Sequence, residues 1–171
     1  MIVLYKGSRG RGKTLSMVKD ALGFYQNGYR ILTNLEMNFG EHITSQEVLS
    51  LNKNSDLYNC VLVLDELQLF FDSRNFGSKE NKDFSYFIQQ IRKRNIIILG
   101  TTQYTASIEL RFRQHIDVVA CPHFDKYTKL CIVKYYDLTS LEDGLSYIKP
   151  VTLCFDAMPI FKLYNTNEML R

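Results

Sequence analysis

Residues 7–14 read Gly-Ser-Arg-Gly-Arg-Gly-Lys-Thr. Their spacing fits G-x-x-x-x-G-K-[ST] in full. Gly7, Gly10 and Gly12 let the backbone wrap an anion. The amides of Ser8, Arg9, Arg11 and their neighbours then point inward as a nest for phosphate oxygens. A helix beginning at Lys13 aims the positive end of its dipole at the same charge. Lys13 is expected to reach the β- and γ-phosphates of a nucleoside triphosphate, and Thr14 to ligate Mg2+. ATP and Mg2+ are the expected ligands. The bland alternative is a glycine turn with an incidental lysine.

Asp65 and Glu66 follow the apolar run Val61–Leu64. Parallel α/β sheets place ligands at the carboxyl ends of such strands. Asp65 is therefore the natural second magnesium residue, and Glu66 could polarise an attacking water. Small-molecule kinases need no such glutamate, so the pair favours hydrolysis. Salt bridging is the alternative for Glu66. Gln103 follows Thr101 and Thr102 after the next apolar run. That places an amide beside a γ-phosphate, with a purely structural hydrogen bond as the alternative.

Between Arg74 and Arg94 the chain carries six basic residues (Arg74, Lys79, Lys82, Arg92, Lys93, Arg94) and two acidic ones (Glu80, Asp83). Arg111 and Arg113 form another basic pair after Gln103. Three roles are open for these arginines. They could reach a neighbouring subunit's γ-phosphate, contact DNA phosphates, or form a solvated basic face. A ring of identical subunits would serve the first two.

The elements that must position these residues are read from apolar spacing. Ile2–Lys6 reads as a buried strand. Leu15, Val18, Leu22 and Tyr25 recur at helical spacing, predicting a helix over Lys13–Gln26 that Asn27-Gly28 closes. A strand follows over Tyr29–Thr33 and a short helix near Ser45–Leu51. Val61–Leu64 reads as a central parallel strand covered on both faces. A loop is expected over Asp72–Lys79. Phe84, Phe87, Ile88 and Ile91 then mark a helix ending near Arg94. Ile96–Leu99 and Ile116–Ala120 read as strands, with a short helix over Ile108–Arg113 between them. Lys129–Asp137 and Ser146–Phe155 read as longer, partly exposed strands in a hairpin or appended edge. Strand and helix alternate up to residue 120, which implies an α/β sheet. The expected division is a core over 1–122, with C-terminal strands over 123–171 packed on it or extending it.

Composition narrows the class. The chain has 171 residues, 46% of them apolar, and a net charge of +3. That excludes a disordered tail or a collagen, and +3 by itself says nothing about nucleic acid. No apolar run approaches 18 residues, so a spanning helix is not expected. Met1–Tyr5 is too short for the hydrophobic region of a signal peptide. Cys60, Cys121, Cys131 and Cys154 are widely spaced without a C-x-x-C pair, and buried thiols are expected rather than a zinc site.

The ordered set GSRGRGKT, VLVLDELQLFFDSR, SYFIQQIRKRNI and ILGTTQYTASIELRFRQHIDVVACP resembles the FtsK–HerA superfamily of DNA-translocating ATPases. It is most similar to the small viral members, the genome-packaging ATPases and the zonular-occludens-toxin-like assembly proteins of filamentous phages. The resemblance runs over roughly residues 1–122. It implies an α/β P-loop NTPase fold of RecA/FtsK–HerA type, with a central, mainly parallel sheet flanked by helices and a small C-terminal β elaboration. It places the nucleotide-binding pair on Lys13 and Thr14, the acidic pair on Asp65 and Glu66, and the strand-end glutamine on Gln103. It leaves Arg92, Arg94, Arg111 and Arg113 as candidates for a trans-acting finger, and Arg74 matches an arginine of the toxin-like branch. It implies double-stranded DNA, a hexameric or pentameric ring, and a capsid or portal vertex as partners, in the host cytoplasm or at the virion vertex. The toxin-like proteins carry a transmembrane anchor after this domain. Its absence here shifts the expectation toward a packaging motor. A small-molecule P-loop kinase and a non-catalytic nucleotide-binding assembly or secretion module are the competing readings.

Overall fold

The computed structural model describes residues 1–50, 57–70, 87–139 and 149–165. Arg74, Lys79, Lys82, the Asp72–Lys79 loop, Phe84 and the first residues of the expected Ser146 strand lie outside the described residues. Among the described residues eight strands form one sheet: β1 (Ile2–Lys6), β2 (Arg30–Thr33), β3 (Glu41–His42), β4 (Cys60–Leu64), β5 (Ile97–Thr102), β6 (Val118–Phe124), β7 (Leu130–Asp137) and β8 (Val151–Asp156). Their order is β3-β2-β4-β5-β1-β6-β7-β8. The first six are parallel, and β7 and β8 add an antiparallel edge.

β4 and β5 are buried at every position. Alternation along each central strand splits the core into two layers. Ile2, Leu4, Leu62, Leu64 and Ile98 face one side, where Val48, Phe87, Ile88, Ile91 and Phe112 cover them. Val3, Tyr5, Val61, Val63 and Leu99 face the other, against α1 (Lys13–Gln26). This explains the unbroken apolar runs, because a strand covered on both faces has no solvent side.

α1 has the expected bounds. Its buried residues include Leu15, Met17, Val18 and Ala21, whereas Tyr25 is 49% exposed and tilts against Phe39 at 5.2 Å between ring centroids. The stripe therefore drifts off the core in the last turn. Asn27 stops the helix, with its amide bonded to Gly23 O and Phe24 O and its side chain also bonded to Gly23 O. Among the described residues the other α-helical stretches are α2 (Ser45–Ser50), residues 87–90, α3 (Leu110–Arg113) and α4 (Met158–Phe161).

Several boundaries differ from the sequence reading. β5 runs through Thr101 and Thr102, because β-branched threonines fit a strand whose neighbours continue to bond them. β6 begins at Val118 rather than Ile116, since the Asp117 carboxylate takes the Ile2 amide at 2.6 Å. β3 and α4 were not anticipated. The cysteines are also mixed: Cys60 and Cys131 are buried, Cys121 is half-buried, and Cys154 on the edge strand is exposed. Among the described residues no helix is long and apolar enough to cross a membrane.

Candidate nucleotide site

β4, β5 and β1 are adjacent and parallel, so their carboxyl ends share one rim. Lys6 registers with Thr102, and Leu64 with Gly100. Residues 7–12 leave β1 at this rim, Asp65 and Glu66 leave β4, and Gln103 leaves β5. Sequence spacing alone separates these groups widely, and the sheet brings them together.

The loop is closed by backbone geometry. Gly12 sits at the start of α1 with φ 87°, a left-handed conformation that favours glycine. A Cβ there would stand 3.1 Å from Phe124 Cβ and 3.2 Å from Cys131 Sγ. The β6–β7 hairpin is therefore packed directly against the loop. Phe124 N also donates to Arg11 O at 3.1 Å. No side chain caps the start of α1, and its first turn carries no acid. Those amides and the dipole stay available to an anion.

Lys13 is 8% exposed, and its Nζ donates to Ser8 O at 3.3 Å. Among the described residues it forms no salt bridge. A nearly buried ammonium bonded to a carbonyl is chemically suited to an incoming phosphate.

Thr14 Oγ1 donates toward Asp65 Oδ1 at 3.1 Å, and Thr101 Oγ1 donates to the same oxygen at 2.5 Å. Burial pushes the Asp65 carboxyl above its usual range, and Glu66's charge adds to that. The Thr101 and Thr14 hydroxyls and the Lys13 charge oppose it. A half-buried carboxylate beside a threonine hydroxyl is a fitting oxygen donor set for Mg2+.

Asn34, at the end of β2, holds this carboxylate's backbone. Asp65 N donates to Asn34 Oδ1 at 2.8 Å, and Asn34 Nδ2 donates to Asp65 O at 3.1 Å. Glu66 adopts a left-handed conformation, φ 54° and ψ 62°, and its amide donates to Thr101 Oγ1 at 2.9 Å. Leu67 is fully buried against Gly100, where any Cβ would overlap its side chain. The acidic pair is therefore seated on β5 as well as on β4.

Gln103 lines a cleft of about 590 Å³ with Lys6, Gly7, Ser8, Arg11, Tyr104 and His123. Among the described residues no carboxylate lines it. Arg11 donates to His123 Nδ1 at 2.5 Å across its mouth.

The candidate arginines divide. Arg92 pairs with Asp117 at 2.9 Å, and Asp117 holds the amide of Ile2 at the start of β1. Arg94 O accepts from Asn59 N just before β4, and its guanidinium lies 5.8 Å from the Tyr58 ring centroid. Both therefore lie at the rim opposite residues 7–14. Arg111 pairs with Glu109 at 2.7 Å, and Arg113 Nε is buried with no hydrogen-bond partner among the described residues.

Sequence reasoning missed Asn34, Thr101, Gln68 and Tyr164. Tyr164 bridges to Met37. Its phenol is pushed up to about 12 by burial, with the Asp65 charge adding to the shift. The C-terminal segment thus returns to the acidic side of the site.

A family model described as Zonular occludens toxin (Zot) matches residues 1–168. The chain belongs to the Zot family. No curated relative matches it in sequence. Among solved structures it is similar to the N-terminal domain of zonular occludens toxin from Neisseria meningitidis. That likeness has a TM-score of 0.69 at 17% identity and covers 96% of this chain and 98% of the other. It is also similar to the genome packaging NTPase B204 from Sulfolobus turreted icosahedral virus 2 in complex with ATP-gammaS. There the TM-score is 0.59 at 12% identity, over 87% of this chain and 95% of the other. The ATPase domain of G40P matches with a TM-score of 0.57 at 11% identity, over 98% and 84%. The Zot-family chain therefore has the P-loop NTPase fold, as its resemblance to FtsK–HerA-type ATPases implied.

Proposed function

We propose that this Zot-family chain is an ATP-hydrolysing motor subunit of virion assembly that moves viral DNA. The observation that carries the reading is the Thr14–Asp65–Thr101 cluster, which closes the loop after β1 onto β4 and β5. Lys13 and the amides of residues 8–14 hold the triphosphate. Thr14 and Asp65 hold Mg2+, which when bound neutralises charge on the phosphate oxygens. Glu66 polarises the attacking water, and Gln103 sits beside the γ-phosphate. An arginine of a neighbouring subunit, drawn from Arg92, Arg94, Arg111 and Arg113, completes the site in a ring. Contacts to DNA go to its phosphates, because a motor must ignore sequence.

Three likenesses support this reading: to a Zot domain, to a protein described as a genome packaging NTPase, and to an ATPase domain. ATP turnover with and without duplex or single-stranded DNA tests it. We expect turnover that DNA stimulates and salt weakens. Glu66→Gln should keep ATP binding while slowing hydrolysis about 100-fold or more, the scale of a lost general base. Undiminished turnover in Glu66→Gln would remove that residue from the mechanism. Transfer of phosphate to an added small acceptor, indifferent to DNA, would favour a kinase instead.

A further inference from the structure

We infer that Gln68 is a positioning residue that couples the Glu66 carboxylate to the end of β5. The inference rests on the proposed role of Glu66. Gln68 lies in the 3-10 turn Leu67–Leu69 that follows the acidic pair. Its Nε2 donates to Glu66 Oε2. Its Oε1 accepts from Thr102 Oγ1 at 3.1 Å. One primary amide thus uses both ends, as a donor to the water-polarising carboxylate and as an acceptor from the strand that leads into Gln103.

The surroundings restrict what this amide can do. The turn itself is already held, by Leu67 packed against Gly100 and by the Glu66 amide on Thr101. Neither contact fixes the far end of the Glu66 side chain. Gln68 does so. The single Thr102 hydroxyl proton is shared between Gln68 Oε1 and Tyr104 O, each at 3.1 Å, so this three-centre bond includes the corner after β5. Tyr104 is 73% exposed there and borders the cleft lined by Lys6 and Arg11. That cleft is the one the phosphate loop and Gln103 line, so a triphosphate seated there moves Thr102 relative to the turn. The amide passes that shift to Glu66. A residue that only packed the turn would have no link to the corner.

The test compares wild type, Gln68→Ala, Thr102→Val and the double variant. ATP turnover is measured with and without a mixed-sequence duplex oligonucleotide, and thermal unfolding serves as the folding control. Gln68→Ala should lower kcat about tenfold, the scale of a modestly misplaced catalytic group, and leave KM for ATP within about twofold. Thr102→Val should lower kcat in the same direction, and the double variant should be no worse than Gln68→Ala, since the two residues act in one chain. Rescue of kcat by Gln68→Asn is not expected, because the shorter amide cannot span both partners. Wild-type kcat in Gln68→Ala, or additive losses in the double variant, would overturn the inference. A second readout is independent of turnover. The Gln68 side-chain amide resonance should move in both Glu66→Ala and Thr102→Val, and an unmoved resonance overturns the coupling directly. If wild type hydrolyses ATP without DNA stimulation while the resonance moves and kcat falls in Gln68→Ala, the coupling stands and DNA movement fails.

Discussion

Asn34→Ala separates the support of the site from its chemistry. Asn34 is 6% exposed and exchanges two hydrogen bonds with the Asp65 backbone, at 2.8 and 3.1 Å. Each bond contributes about 1 kcal/mol net, and stranding a buried amide costs about 1 kcal/mol or more beyond that. The expected destabilisation is about 3 kcal/mol. For a chain of this size each kcal/mol lowers Tm by about 2–4 °C, giving a fall of about 6–12 °C by calorimetry. The functional signature is narrower. Asn34 touches Asp65 and, by its own amide, Val63 O. Loosening Asp65 should therefore weaken ATP binding about tenfold with Mg2+ present and hardly at all in chelator, because Lys13 and the loop amides are untouched. A Tm change under about 2 °C would refute the energetic reasoning. Equal loss of affinity with and without Mg2+ would refute the placement of the metal at Asp65.

Two further outcomes are expected. Arg92 is 79% exposed and its pair with Asp117 is a surface one, so Arg92→Ala should cost less than about 1 kcal/mol of stability. If it is the trans-acting finger, turnover falls in the assembled protein and partly returns on mixing with Lys13→Ala, whereas a mixture no better than the average of its parts discards it. Alkaline stability gives the second. Burial raises the Tyr5 and Tyr135 phenols, helped by the Asp20 charge, and Tyr164 is pushed up to about 12. Unfolded tyrosines ionise near pH 10 while the native ones keep their protons. Their contribution is therefore full below pH 10 and is lost as pH rises through the native values. The denaturation midpoint should fall from pH 9 to pH 11, and less steeply in Tyr135→Phe. A flat midpoint over that range would contradict the burial argument.

What was legible in the sequence was local. β1 and α1 carry their own signals in five and fourteen residues, so their bounds were readable to the residue. The 7–14 segment was readable for the same reason, since its glycines and lysine are spaced for one loop. Asp65 was placed because a buried strand ends just before it. Asn34 and Thr101 were not readable. Their partners lie 31 and 36 residues away, and an asparagine or threonine at a strand end looks like any turn residue until the sheet order is known. β3 has two residues, both exposed, and offers no periodicity to detect. Tyr25 was misplaced because helical spacing gives the stripe and not where the sheet beneath it ends.

Sheet order also decides how the arginines can act. The loop after β1 leaves one end of a five-residue strand, and Asp117, with Arg92 on it, holds the other. Five residues of strand span roughly 16 Å. That exceeds the reach of an arginine side chain across a filled core, so Arg92 cannot serve the triphosphate of its own chain. Arg94, bonded beside the start of β4, is excluded on the same ground. Any action of either residue on a γ-phosphate has to be in a neighbouring subunit. A chain that concentrates Lys13, Thr14, Asp65 and Glu66 on one rim and Arg92, Lys93 and Arg94 on the other has complementary ends. Repeating such a chain head to tail would set the cations of one copy against the phosphate site of the next, a heterologous contact that gives a ring if its rotation closes and an open filament if it does not.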